Sequence, residues 1–324
     1  MNNMYKRNDR NLIRDTILIF IAIVFFAGGP IWLANWLIKD SIQQYSPVKM
    51  VRNIQLHDGI YAIKILASYG FDMNLIRQNK ATVPEVYFAS LPRELTRITN
   101  VRIKKELFFS SLLPPILKVN DIIRQDRRKL KKIILDITVG ANVSEPDYFW
   151  LTQKLVKYKV KVRDVQDFIS RPGDILDQLL IRMNIIPPEL ALAQAAQESG
   201  WGTSRFAQQG NALYGQWTWG SGCGMVPAQR EEGKTHRMKC FKSIIEAVDS
   251  YMLNLNTHRA YAALRQERRA FRDDQVIDVL PLVQTLTHYS EEGEEYVEKI
   301  KNIIRVNKLN DFNTARLKTS IRIP

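Results

Sequence analysis

The sequence predicts a mainly α protein with one small β element, and three features of its 324 residues carry that expectation. Apolar residues recur at helical spacing through the second quarter of the chain and again after residue 243. Only the Gly- and Trp-rich stretch from 212 to 241 alternates as strands do. The composition, 45% hydrophobic and 25% charged with no repeat or low-complexity tract, is that of a globular chain of about two domains.

The first element is the uncharged run Thr16 to Ile38, TILIFIAIVFFAGGPIWLANWLI, long enough to cross a bilayer as one helix. Lys6, Arg7, Arg10 and Arg14 outnumber Asp9 and Asp15 in the tail 1–15, whereas Lys39 and Asp40 cancel on the far side. The positive-inside rule therefore puts the tail in the cytoplasm. Trp32 and Trp36, one turn apart, suit an interfacial belt. A cleaved signal peptide is the competing reading, because Ala27, Gly28 and Gly29 sit within the run, but the apolar stretch continues past them to Ile38. Under either reading the chain after residue 40 is exported.

Export removes nucleic acid as a partner, which the net charge of +14 would otherwise suggest. The densest basic run, Arg124, Arg127, Arg128, Lys129, Lys131 and Lys132, reads as a solvated helix face, with anionic lipid or acidic wall polymer as its functional alternative. Cys223 and Cys240 lie in the exported part, where oxidation is permitted. The predicted hairpin between them can bring them together as a disulfide, although two unpaired buried cysteines would read the same.

Residues 39–82 read as a stalk or lead-in, with a helix hinted at by Ile54, Ile60, Ile63, Ile65 and Leu66 and ended by Ser68-Tyr69-Gly70. Residues 83–170 form a helical region of unassigned role. There Pro114 and Pro115 separate two long helices, since proline lacks the amide donor and clashes with the preceding turn. The second buries the stripe Leu113, Ile116, Leu117, Val119, Ile122, Ile123, Leu130, Ile133 and Ile134. Short helices follow at 147–157 and 164–169, and the turn Arg171-Pro172-Gly173 opens a C-terminal domain, 171–310, ahead of a tail, 311–324. That domain holds helices at 174–184 and 187–200, the β stretch, and four amphipathic helices up to about 308.

Pro187-Pro188-Glu189 opens a helix whose interior, LALAQAAQ, consists of strong helix formers, and Gly200 and Gly202 stop it just after Glu198. Ala191, Gln194, Ala195 and Glu198 share one face, whose small residues leave room beside the carboxyl. The negative end of the helix dipole favours a protonated acid there, and Trp201 and Phe206 can add desolvation in the same direction. A glycosidase needs such a carboxylic acid, to protonate the leaving oxygen. A glutamate at a helix end is by itself more often a solvated cap.

The string AQAAQESGWGTSRFAQQGNALYGQW resembles the entry motif of bacterial cell-wall glucosaminidases, the family of the flagellar rod-cap muramidase-like domain and many autolysins. The resemblance covers roughly residues 170 to 310 and continues through Asn211, Leu213, Tyr214 and Gly215, Phe241 and Ser243, and LTHYSEEGEEYVEKIKNII. VPAQREEGKTHRMKCFKS and SYMLNLNTHRAYAALR look like hallmark segments of the Bax-type proteins of Gram-negative bacteria, which also resemble the chain from about Val83 to Leu135. The resemblance implies a lysozyme-like C-terminal domain with a small β lobe, which the helical region and the transmembrane helix read above precede. It implies peptidoglycan glycan strands as substrate, Glu198 as catalytic acid and Tyr289 as an active-site tyrosine. Together with the apolar run and the charge asymmetry around it, a Gram-negative family leads to the expectation of a single-pass inner-membrane protein with its catalytic domain in the periplasm.

For the second carboxylate, the resemblance points to the β lobe, which holds Glu231 and Glu232. Ala228-Gln229-Arg230-Glu231 is one residue out of step with the family's threonine-x-glutamate pattern, and Glu231 is preferred. The alternative uses the substrate's own 2-acetamido oxygen, with Tyr289 holding it and no base carboxylate. Trp201, Asn211, Tyr214, Trp217 and Trp219 are candidate substrate contacts. Trp217 and Trp219 share one side of a strand as sugar-stacking aromatics would, or line a buried face of the lobe, and Tyr214 and Phe206 also read as core.

His57, His236, His258 and His288 are scattered without ligand spacing, so no metal or other cofactor is expected, and no serine or glycine-loop motif points to acyl or phosphoryl transfer. The readings that remain are a peptidoglycan-cleaving endo-β-N-acetylglucosaminidase, a lytic transglycosylase, whose follow-on Gly-Leu-Met-Gln string is missing here, and a tethered wall-binding protein without catalysis.

Overall fold

The computed structural model describes residues 50–51, 59–220, 222–228, 230, 233, 235–271 and 276–318. The apolar run 16–38 and Glu231 lie outside these residues, and among the described residues no helix is long and apolar enough to cross a membrane.

Twelve helices of four residues or more in α geometry run along the described residues, in agreement with a mainly α reading: α1 (Gly59–Ser68), α2 (Met73–Arg77), α3 (Val101–Thr138), α4 (Glu145–Lys157), α5 (Val165–Ser170), α6 (Pro172–Arg182), α7 (Pro188–Ser199), α8 (Arg205–Gly210), α9 (Ile244–Thr257), α10 (Ala262–Arg269), α11 (Val279–Gln284) and α12 (Glu294–Val306). Local chemistry sets many of their starts: the side chains of Asp72, Ser144, Ser204, Ser243 and Asp278 accept backbone N–H bonds at the heads of α2, α4, α8, α9 and α11. Strands β1 (Met50–Val51) and β2 (Tyr87–Phe88) pair in parallel. β3 (Trp217–Thr218), β4 (Gly224–Met225) and β5 (Arg237–Lys239) form a small antiparallel sheet in the order β3-β5-β4.

The chain divides into two compact units, and the division is not at the predicted turn 171–173. One unit contains Arg124–Asn184. Within it Lys154 pairs with Asp126 at 2.5 Å and Lys129 with Asp147 at 2.8 Å, and Arg127 donates to the carbonyls of Leu180 and Met183 at the end of α6. Part of the basic run thus serves the fold of its own unit.

The other unit contains Pro47–Ile123 and Ile185–Pro324, so the upstream region belongs with the C-terminal half. Residues 66–83 are no free stalk: Leu66, Phe71, Met73, Ile76 and Val83 are all buried. Val83 also binds the tail, donating to the Arg316 carbonyl at 2.8 Å and accepting from the Lys318 N–H at 2.7 Å.

Pro114 and Pro115 do not separate two helices, because both lie inside the continuous α3. An interior proline costs about 3 kcal/mol through its missing donor and ring clash. Around these two, Leu107, Phe108, Phe109, Leu112, Leu113, Ile116, Leu117 and Val119 are all at most 2% exposed. At roughly 2 kcal/mol for each large side chain removed from water, that burial exceeds the local cost.

α7 lies in the middle of the second unit, against α12, α11 and the short turn Leu309–Phe312. Its residues from Leu190 to Ala196 are at most 1% exposed, so the alanines that give it helix propensity also let its neighbours approach on every side.

Candidate active site

Glu198 occupies the last turn of α7 and is half-buried. The helix ends as its glycines predict, with Gly200 left-handed at φ 57° and the Gly200 and Trp201 N–H groups both returning to the Ala196 carbonyl. Ser199 locks the exit: its hydroxyl donates to the Ala195 carbonyl at 2.6 Å and accepts from the Gly202 N–H at 2.8 Å.

The chain then passes under the upstream region. A side chain at Gly202 would collide with Leu91, Leu95 and Phe108. The Trp201 ring meets Phe108 and Phe109 edge-on, at 5.7 and 5.6 Å between centroids, beneath the Lys105 ammonium at 4.6 Å. The SGW segment therefore joins the acid-bearing helix to α3.

The carboxyl of Glu198 is walled on one side by Gly215. A Cβ at that position would stand 2.5 Å from Glu198 Oε2, and φ there is +62°, so glycine is demanded by both the space and the backbone. Trp217 follows two residues later, within ~8 Å along the chain.

Around the same carboxyl gather Tyr251, Tyr261, Tyr289 and Tyr296, with Tyr214 stacked on the first of them. Tyr214 stacks on Tyr251 at 3.8 Å and Tyr289 on Tyr296 at 5.3 Å, and Tyr261 lies 5.7 Å from Tyr289. The Tyr289 hydroxyl donates to the Tyr214 carbonyl at 2.9 Å, tying the terminal segment to the loop that carries Gly215. The Tyr296 hydroxyl accepts from the Gln194 side-chain amide at 2.9 Å, and the Tyr251 hydroxyl donates to the same amide's oxygen at 2.7 Å.

Desolvation raises the Glu198 pKa above the usual carboxylate value, the polar Tyr296 hydroxyl opposes the rise, and the negative charge of Glu292 adds to it. Glu292 is held 2.7 Å from Lys299. Burial pushes the Tyr261 phenol up to about 12, with the Glu198 charge adding to the rise, so the tyrosines remain neutral donors and acceptors at ordinary pH.

The predicted substrate contacts fall into two groups. Trp201 is taken up by the packing just described. Asn211, 5% exposed, caps α8 at φ 50° and donates to the Phe241 carbonyl at 3.1 Å, which fixes the root of the β lobe. Tyr214, 2% exposed, is core beneath Tyr251. By contrast Trp217 is 44% and Trp219 71% exposed, so neither lines a buried face of the lobe. Cys223 and Cys240 are joined as a disulfide, Cα atoms 5.3 Å apart, across the β4-β5 pair.

Sequence reasoning missed Tyr296 and Tyr251. The available signal was Gln194, one turn before Glu198 on the same face, because a buried amide there demands hydroxyl or carbonyl partners.

A separate cleft of about 470 Å³, lined by Arg77, Arg102, Lys105, Phe109 and Asn307 among others, does not include Glu198. Two of its cations are already engaged, Arg77 with Asp311 and Lys105 with Asn307. Among the described residues no group of His, Cys, Asp and Glu side chains gathers that could hold a metal ion.

Comparison with known proteins places the chain in a family. Residues 173–309 match the glucosaminidase family model, described as mannosyl-glycoprotein endo-β-N-acetylglucosaminidase. The chain is 31% identical over 209 residues to Protein bax of Escherichia coli (strain K12), across 64% of this chain and 71% of that protein. That similarity is longer than the family match, so it includes residues outside 173–309. No solved structure matches.

Proposed function

The chain belongs to the Bax-type glucosaminidase family, and from that premise we propose that it is a peptidoglycan hydrolase that cleaves N-acetylglucosaminyl β-1,4 linkages with Glu198 as general acid. The observation that carries this reading is the setting of Glu198: a desolvated carboxyl with a raised pKa, backed by neutral tyrosines and pressed against Gly215, two residues before the exposed Trp217.

In this mechanism the protonated Glu198 gives its proton to the glycosidic oxygen as the C1–O bond breaks and positive charge grows at C1. The aglycone leaves as an alcohol and Glu198 becomes an anion. Oxygen then attacks C1 from a water deprotonated by a second carboxylate, for which Glu231 is the candidate, or from the substrate's own acetamido group, followed by water. In the second route Tyr289 is the tyrosine that the family resemblance assigns to the acetamido group. Its single proton is directed at the Tyr214 carbonyl, so it would meet the acetamido group as an acceptor of the N–H. Trp217 and Trp219 offer flat apolar faces on which sugar rings stack.

We further propose that the run 16–38 anchors the chain in the inner membrane with the hydrolase facing the periplasm, where the basic residues near 124–132 can meet anionic lipid. The Cys223–Cys240 disulfide supports an oxidising compartment.

The test is a digest of purified peptidoglycan by the detergent-solubilised full chain and by Glu198→Gln, with product ends read by mass spectrometry. Reducing N-acetylglucosamine ends that vanish in the variant are expected. Anhydro-muramic ends would reassign the protein to the lytic transglycosylases, and sacculus binding without any product would reduce it to a tethered wall binder.

A further inference from the structure

The cleft beside α3 carries charge that the helix itself disfavours. α3 opens with the residues VRIKK, and its first turn holds no acid. Arg102, Lys104 and Lys105 therefore crowd the positive end of the helix dipole, where cations cost stability and anions are favoured. The Asn100 side chain already caps this end, accepting the Ile103 N–H at 3.2 Å.

Arg77, Arg102 and Lys105 all line the cleft. Arg77 is fixed through one nitrogen: Nη1 donates to the Asn307 carbonyl at 3.1 Å and to the Lys308 carbonyl and Asp311 at 3.0 Å, with the guanidinium carbon 4.4 Å from the centre of the Phe312 ring. Its Nε and Nη2 have no partner among the described residues, so the guanidinium is oriented with donors unspent. Lys105 is held by Asn307 Oδ1 at 2.8 Å and by the Trp201 ring. Arg102 is exposed and forms no ion pair among the described residues.

The lining also holds one carboxylate, Glu106, unpaired among the described residues, and apolar surface from the buried Phe109 and the exposed Val101. A ligand that satisfies all of this carries more than one carboxylate, one ammonium group and short apolar side chains. A phosphate alone would meet the Glu106 carboxylate with like charge. The volume of about 470 Å³ lies within the roughly 300–1,000 Å³ of ordinary ligand sites.

The cleft is also near the acid. Lys105 and Phe109 both touch Trp201, which follows Glu198 by three residues, at most ~11 Å along the chain. An extended peptide of four or five residues spans ~13–18 Å. A peptide stem carried by a sugar next to the cleaved bond is therefore long enough to reach the cleft.

We propose that this cleft docks the acidic peptide stem of the glycan strand, with Arg77 and Arg102 taking its carboxylates and Glu106 its ammonium group. This rests on peptidoglycan being the substrate. The site is built by α2, α3 and the residue that ends α12, so it pairs the upstream region with the hydrolase and gives that region a role in choosing substrate.

The experiment is a calorimetric titration of the full chain in detergent with the tetrapeptide N-acetyl-L-Ala-γ-D-Glu-diaminopimelyl-D-Ala, which has three carboxylates and one ammonium group. Saturable binding is expected, weakened about tenfold by Arg102→Glu and by acetylation of the peptide's amine. Arg102→Glu places an acid in the first turn of α3, so its melting temperature should equal or exceed that of wild type, which separates lost binding from a damaged fold. Glu106→Gln is the second variant and should bind the native and the acetylated peptide alike. Inorganic phosphate should bind at least about tenfold more weakly than the peptide.

Absence of peptide binding overturns the proposal, as does binding that Arg102→Glu leaves unchanged. A Glu106→Gln variant that still prefers the free amine overturns it too, and phosphate binding as tight as the peptide's would reduce the cleft to a patch for any anion. The titration needs no turnover, so peptide binding by a chain that cuts no glycan would uphold the site and sink the hydrolase reading. In an active enzyme kcat/KM should be higher on peptide-bearing strands than on strands stripped of their stems, and Arg102→Glu should narrow that ratio. Cleavage without peptide binding and without that preference would uphold the hydrolase and overturn the site.

Discussion

The wall behind Glu198 and the β lobe beside it are built on opposite plans. In the wall, Tyr214, Tyr251 and Tyr296 are at most 2% exposed and stacked, and the Tyr251, Tyr296 and Tyr289 hydroxyls are engaged. In the lobe, three strands of two or three residues, with the Cys223–Cys240 disulfide beside them, leave Trp217 and the following Trp219 at 44% and 71% exposure. The wall can set a pKa and an orientation because nothing in it can relax. The lobe can offer adjustable surface to a polymer because little of it is committed to packing. Damage to the wall should therefore appear in kcat and in pH dependence, and damage to the lobe in KM.

The largest effect is expected from Glu198→Gln, which preserves the hydrogen-bonding shape but removes the acid. Peptidoglycan cleavage should fall by at least ~10³-fold with the fold intact by circular dichroism. In the unsubstituted enzyme the rate should also fall as pH rises through the raised Glu198 pKa, since only the protonated form donates. Gly215→Ala comes next. Its methyl group would enter the space of Glu198 Oε2 at a backbone angle that disfavours alanine, and a displaced carboxyl should lower kcat by about 10²-fold with a small change in KM. A larger effect on KM than on kcat would show that Gly215 belongs functionally to the lobe.

Trp219→Ala and Trp217→Ala should raise KM for glycan roughly three- to tenfold and leave kcat near the original value, as expected for the loss of a stacking face. A kcat loss at either position would break the comparison.

The smallest effect on activity is expected at Glu189, on the first turn of α7 and 1% exposed, with no hydrogen-bond partner for Oε2. Burial, with a further contribution from Asp278, raises its carboxyl to about 7 from 4.5. A raised carboxyl favours folding in its neutral form, so the full stability is present below pH 4.5 and is lost as pH rises toward 7. Glu189→Gln should abolish that loss and stabilise the protein at pH 8 by up to about 3 kcal/mol, with no difference at pH 4. Thermal melts at the two pH values decide it.

What could be read from sequence was what local chemistry controls. The end of α7 was legible because Gly200 follows a run of helix formers, and the exposed or buried status of Trp217 and Trp219 was reduced to two options by strand alternation. The continuous α3 was not legible. Part of the tertiary burial around Pro114 and Pro115 comes from far along the chain, where Trp201 meets Phe108 and Phe109.

The packing of Trp201 was out of reach for the same reason. An aromatic beside an acid suggests substrate, and its actual neighbours, Lys105, Phe108 and Phe109, lie more than ninety residues earlier. Tyr289 was given by family resemblance, whereas Tyr296 becomes distinguishable only when α12 is seen packed on α7. Glu231 falls outside the described residues, so the base is still assigned by sequence alone.

The most direct test of the central claim compares two substrates. Glu198→Gln is assayed on peptidoglycan, whose leaving sugar needs a proton, and on a dinitrophenyl N-acetylglucosaminide oligosaccharide, whose leaving group does not. If Glu198 is the general acid, the variant loses the first activity and retains the second within about tenfold of wild type. Equal loss on both substrates would contradict the account and assign Glu198 a role other than protonating the leaving oxygen.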